Sequence, residues 1–121
     1  MASLLIDVLR QCTRAGKFKV HEFVVMRNHL HVLLTVPAGT TVEQAVQKIK
    51  GNFSYRAGKE LGMKWAIWQK GFSDVRITDR ESYARHVAYI YENPVKAGYV
   101  RSAEEYPYCS AHFRKMKTRR G

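Results

Sequence analysis

Apolar residues along the chain repeat with two spacings, one near the ~3.6 residues of a helical turn and one near the ~2 of a strand. Leu4, Ile6, Val8 and Leu9 mix the two, but Arg14 followed by Gly16 supplies a helix stop, so residues 3–13 predict a short helix. Residues 18–26 are rich in Val and Phe. Residues 30–36 follow after the polar pair Arg27 and Asn28, and the two runs predict antiparallel strands joined by a tight turn. Along the second strand Leu30, Val32, Leu34 and Val36 share one face, while His29, His31 and Thr35 share the other, which reads as the polar face. Two imidazoles therefore project from one side of that strand, one pleat apart.

Pro37, Ala38 and Gly39 predict a turn, and Thr40 with Glu43 predicts a capping box. Val42, Ala45, Val46, Ile49 and Phe53 then form the stripe of a helix of about twenty residues that Gly62 closes. Residues 65–72 read as an aromatic connector and 74–77 as a short strand. Thr78 with Glu81 predicts a second capping box, opening a helix that Pro94 must end. On that helix Tyr83, Val87 and Ile90 fall on a stripe facing the core, with Ser82, His86, Tyr89 and Asn93 along a polar flank. Tyr89 and Asn93 are i, i+4 neighbours. Past one more turn at 95–98, the run Arg114, Lys115, Lys117, Arg119 and Arg120 predicts a frayed, solvated basic tail. The expected organisation is one domain over 1–113 and a tail over 114–121, α+β in class, with one antiparallel sheet flanked by helices.

Composition adds a charge and removes several classes. The 121 residues carry 21 Lys plus Arg against 10 Asp plus Glu, a formal net charge of +11. With 45% hydrophobic and 12% aromatic residues the chain can build a core, so a disordered basic tail does not describe it. No uncharged apolar run approaches the ~18 residues of a membrane span, which predicts a protein neither spanning nor secreted, at work in the cytoplasm. Cys12 and Cys109 form no C-x-x-C pair and read as small buried or idle thiols. Excess positive charge favours an anionic polymer as partner, because each phosphate neutralised releases counterions.

Taken alone, His29 and His31 on a strand are more commonly surface or hydrogen-bonded residues than metal ligands. Their company changes the picture. Two neutral imidazoles and the neutral amide of Asn93 would leave a bound Mg²⁺ or Mn²⁺ its full charge and open positions for a phosphate oxygen. The Tyr89 phenol, with an ordinary pKa of about 10, becomes an accessible nucleophile near such a cation. Lys48, Lys50, Arg56 and Lys59 are candidates to contact phosphate and equally a solvated helix face. Trp65, Trp68 and Phe72 could stack bases but are more commonly core plugs.

The run from Val24 to Leu34 that holds Arg27, Asn28, His29, Leu30 and His31, then Trp68-Gln69-Lys70-Gly71-Phe72, then Tyr89 to Gly98 with Glu92, Asn93 and Pro94, resembles the single-tyrosine HUH transposases, closest to the REP-associated tyrosine transposases. The resemblance covers about residues 23–108 and implies the HUH endonuclease fold, a ferredoxin-like antiparallel sheet with helices. It also implies cleavage of single-stranded DNA beside hairpins, through a 5′-phosphotyrosine on Tyr89 and a divalent metal held by His29, His31 and Asn93. Two departures stand out. Family members carry a strand ahead of the first helix, for which residues 1–3 leave no room, so a neighbouring strand would be left with an open edge that a homodimer could cover. Arg27 stands where the family commonly has proline, adding a basic group beside the histidines. The competing expectation is a domesticated hairpin-binding protein that cuts nothing. A basic RNA-associated protein has only charge in its favour.

Overall fold

The computed structural model describes residues 2–26, 29–61 and 79–120. They form an α+β fold: α1 (Ala2–Arg14), the hairpin β1 (Lys19–Val25) and β2 (Leu30–Thr35), α2 (Val42–Leu61), α3 (Arg80–Lys96), a 3₁₀ turn at Ala103–Glu105, and α4 (Ser110–Arg120). Gly62, the aromatic connector, the strand expected at 74–77, Thr78 and the pair Arg27 and Asn28 lie outside the described residues. The chain divides into two compact units, one of residues 1–20 and 34–74, the other of residues 21–33 and 75–121. Among the described residues no helix is long and apolar enough to cross a membrane.

In the first unit α1 packs on α2. Buried Leu5, Val8, Leu9 and Cys12 form the i, i+3, i+4, i+7 stripe of α1, and Ala45, Ile49, Phe53 and Ala57 repeat every fourth residue on α2. The carbonyls that α1 leaves unpaired are closed by the amides of Gly16 on Thr13 and Lys17 on Cys12, with Gly16 at φ +74°. A left-handed residue there suits glycine. The box that opens α2 sits one residue later than expected. The Thr41 hydroxyl accepts from the Gln44 amide at 3.1 Å, and the Gln44 side chain accepts from the Thr41 amide at 3.0 Å. Glutamine meets the same need as glutamate, which hid the register.

The second unit holds the site. The Met26 amide donates to the His29 carbonyl at 2.8 Å, and this register sets Val24 opposite His31 and Glu22 opposite Leu33 on one face. That face is not simply polar. Leu33 packs there with Val24, Met26, Ile90, Cys109 and Ala111. The expectation that histidines mark the wet side of β2 therefore fails two residues along the strand, where α3 covers it. The edge of β1 away from β2 is also occupied: Val24 bridges Cys109, and the Val25 amide donates to the Tyr108 carbonyl at 2.9 Å. Both cysteines are free and buried.

α3 departs from expectation at both ends. Asp79 caps it, accepting from the Ser82 amide at 2.7 Å. Pro94 lies inside it, buried, and does not stop it. Proline lacks only its own N–H, a single missing bond in the last turn. The stop is Gly98, at φ +78°, whose amide bonds the Val95 carbonyl while the Tyr99 amide bonds that of Pro94, both at 3.0 Å. Ser82 is buried although placed on the polar flank, and Tyr83, assigned to the core, is 38% exposed with its ring edge-on to His21. The segment expected to fray continues as α4, and Arg114 is one of its anchors.

Candidate functional site

α3 brings a phenol to the histidines. Ile90 is buried in the core cluster beneath it, and at ~100° per residue Tyr89 and Tyr91 fall on opposite flanks of that anchor. The Tyr89 ring stands edge-on to His31, centroids 5.1 Å apart at 89°, and His31 stands edge-on to His29 at 4.6 Å. Tyr89 is 52% exposed, and among the described residues its hydroxyl has no hydrogen-bond partner. Asn93, one turn on, donates its amide nitrogen to the Tyr89 carbonyl at 3.0 Å, so its amide oxygen is the atom of that side chain that could hold an ion. The structure thus gathers His29, His31 and Tyr89, with Asn93 beside Tyr89 on the same helix.

Burial, then the neighbouring His29, lowers the His31 pKa below its ordinary 6.5. The neutral form, which can lend a lone pair, is favoured. Because the folded value lies below the unfolded one, the stability tied to neutral His31 is complete above about pH 6.5 and is lost as pH falls through the folded value. The urea midpoint should drop between pH 7.5 and pH 5, and drop less in His31→Asn; equal drops would assign the whole effect to other groups.

Tyr91, two residues from Tyr89, is in a different state. Its hydroxyl donates to Glu22 Oε2 at 2.9 Å, and burial, with that carboxylate, pushes its pKa up to about 12. Glu22 is 4% exposed. It also accepts from the Ser110 hydroxyl and pairs with Arg114 at 2.7 Å. Pattern reasoning passed over this cluster. Its signal was a lone carboxylate among Val20, Phe23, Val24, Val25 and Met26, since a charge in an apolar strand demands buried partners.

The basic candidates separate. Arg56 is held within the first unit, on Asp7 at 2.7 Å and on Glu60 at 2.8 Å. Lys59 lies over the Tyr55 ring at 5.9 Å, and Lys48 is exposed. Lys50 is partly buried, and Arg27 lies outside the described residues. No three His, Cys, Asp or Glu side chains among the described residues gather to hold an ion. The imidazoles of His29 and His31 and the amide oxygen of Asn93 are donors that could hold an ion whose shell is completed by water and phosphate.

Comparison with known proteins decides the family. Residues 1–93 match the model of the family Y1_Tnp, transposase IS200 like. The chain belongs to the IS200-like transposase family. This family member is 32% identical over 110 residues to the REP-associated tyrosine transposase of Escherichia coli K12, covering 90% of this chain and 64% of that protein. It is 30% identical over 127 residues to a candidate REP-associated tyrosine transposase of Haemophilus influenzae, covering 91% of this chain and 72% of that one. A solved structure of a REP-associated tyrosine transposase bound to a REP hairpin matches with a TM-score of 0.75 at 31% identity, over 90% of this chain and 64% of that one. The chain thus spans 64% of the length of the Escherichia coli protein.

Proposed function

We propose that this chain cuts and rejoins single-stranded DNA at hairpins, with Tyr89 as nucleophile and with His29, His31 and Asn93 holding a Mg²⁺ or Mn²⁺ ion. The observation that carries the proposal is the edge-on packing of the Tyr89 ring against His31 at 5.1 Å, which seats an exposed phenol beside two imidazoles. The hairpin-bound relative supports the choice of DNA partner, and chromosomal DNA in the bacterial cytoplasm is its expected source.

Tyr89 Oη loses its proton to solvent and attacks phosphorus. The bond from phosphorus to the 3′ oxygen breaks, that oxygen takes up a proton, and a 5′-phosphotyrosine and a free 3′-hydroxyl result. When bound, the ion supplies a Lewis acid that stabilises charge on the phosphate oxygens and on the phenolate. Rejoining runs the same step backwards: a 3′-hydroxyl attacks and the aryl oxide leaves. His31, held neutral by burial, keeps its lone pair for a ligand. Lys48, Lys50, Lys59 and Arg27 contribute phosphate contacts that strengthen binding at low salt.

The test incubates the protein with end-labelled single strands carrying hairpins and Mn²⁺, followed by a denaturing gel. A retarded band should carry the 3′ label, with a released fragment carrying the 5′ label, and a chelator should abolish both. Salt-sensitive hairpin binding with no covalent band at any metal concentration would defeat the proposal and leave a binding protein.

A further inference from the structure

Near the histidines α3 meets the β1–β2 hairpin through three consecutive side chains, with the Tyr83 ring edge-on to His21 nearer the start of the helix. Ile90 is buried among Val24, Leu33 and Cys109. On one flank Tyr89 leans on His31 of β2, and on the other the Tyr91 hydroxyl is bonded to Glu22 of β1 at 2.9 Å. Sliding or tilting of the helix is resisted by the apolar packing. Roll about its own axis is opposed by the same packing, with Val87 against the cluster and Pro94 buried, and fine adjustment of that roll is set most sharply by directed contacts on the flanks, since a hydrogen bond is more sensitive to angle than an aliphatic contact. A roll of about 10° moves a phenol oxygen held about 9 Å from the axis by about 1.5 Å, and errors of about 1 Å at a reacting atom cost rates of order a hundredfold.

Glu22 is built to resist that roll. Its carboxylate is buried, with Oε2 accepting from both Tyr91 and Ser110 and Oε1 paired with Arg114 at 2.7 Å. Ser110 in turn accepts from the Phe23 amide at 3.0 Å, and Arg114 donates to the His21 carbonyl at 3.0 Å, so α4 is tied to the backbone on both sides of Glu22. The carboxylate therefore has little freedom of its own to follow Tyr91.

We propose that Glu22 is a positioning residue for the cleavage step: through Tyr91 it sets the roll of α3, and so the seat of Tyr89 against His31, while Ser110 and Arg114 hold the carboxylate in place. This rests on the cleavage activity proposed above. It gives the two neighbouring tyrosines separate duties, Tyr89 as attacking group and Tyr91 as the arm that aims it.

Tyr91→Phe removes one hydroxyl and keeps the ring, and Glu22→Gln keeps the shape of the carboxylate. At a temperature well below both melting points, single-turnover adduct formation should fall about ten- to a hundredfold in each, with hairpin affinity within about twofold of the parent. In parallel the nuclear Overhauser effect between the Tyr89 and His31 rings should weaken. Unchanged rates with an unchanged ring-to-ring effect would overturn the proposal and reduce the cluster to a stabilising element. If the parent protein forms no adduct, the proposed activity fails on its own, and the ring-to-ring effect alone then decides: weakened in both variants it supports the aiming role, unchanged it removes it.

Discussion

Tyr89→Phe is expected to abolish the covalent protein–DNA band, lowering its rate of formation by at least about a thousandfold, while leaving the fold and hairpin affinity intact. The Tyr89 hydroxyl has no partner among the described residues and the side chain is 52% exposed, so its removal orphans no buried group. An aromatic ring of the same shape keeps the edge-on contact with His31. Stability should therefore stay within about 0.5 kcal/mol of the parent, as for other exposed substitutions. The next phenol along α3 is no substitute, because Tyr91 donates its hydrogen bond to Glu22 and is held protonated to about pH 12. Tyr91→Phe is the matched control: the same atom is deleted two residues away, and there the band should form slowly instead of vanishing. A Tyr89→Phe protein that still forms the adduct at the parent rate would remove Tyr89 from the mechanism. Equal losses in both variants would show that the hydroxyls act through the fold.

Much of this arrangement was legible beforehand because it rests on period and on a few short-range signals. Ile6, Val8 and Leu9 on α1 and Ala45, Ile49 and Phe53 on α2 follow from helical geometry, whereas Leu5, Cys12 and Ala57 complete the buried stripes unannounced and Leu4, Val42 and Val46 are only partly buried; the polar pair between two Val-rich runs announces a hairpin. Tyr89 and Asn93 one turn apart, and His29 and His31 one pleat apart, follow from the same two periods. What escaped depends on what lies opposite. Leu33 shares a face with His31 but is buried, since α3 crosses only part of that face. Ser82 and Tyr83 exchange roles for the same reason: which side of a helix is wet depends on its seat. By its chemistry alone Pro94 reads as a stop, whereas one lost bond in a last turn that Gly98 closes is tolerated. In sequence Arg114 belongs to a basic run, and the buried partner that makes it structural, Glu22, lies far away along the chain on β1.

The largest loss of stability is expected from Phe53→Ala, about 3–5 kcal/mol. Phe53 is 2% exposed and belongs to the α2 stripe Ala45, Ile49, Phe53 and Ala57, in which small residues at both ends let α1 approach. On either side of it in sequence the two helices are pinned by polar contacts, Asn52 to the Cys12 sulfur at 3.5 Å and Arg56 to Asp7 at 2.7 Å. These contacts limit how far α1 and α2 can close over the vacated space. Most of the ring's volume should therefore persist as a cavity, the condition under which a large-to-small change costs most. A small domain has about 5–15 kcal/mol of stability in all, so the variant should be near the limit of folding at 37 °C and show a urea midpoint far below the parent's, with Phe53→Leu losing about 1.5 kcal/mol or less. A loss under about 1 kcal/mol in Phe53→Ala would mean that the helices close freely over the gap, and that the ion pair of Arg56 with Asp7 does not fix their spacing.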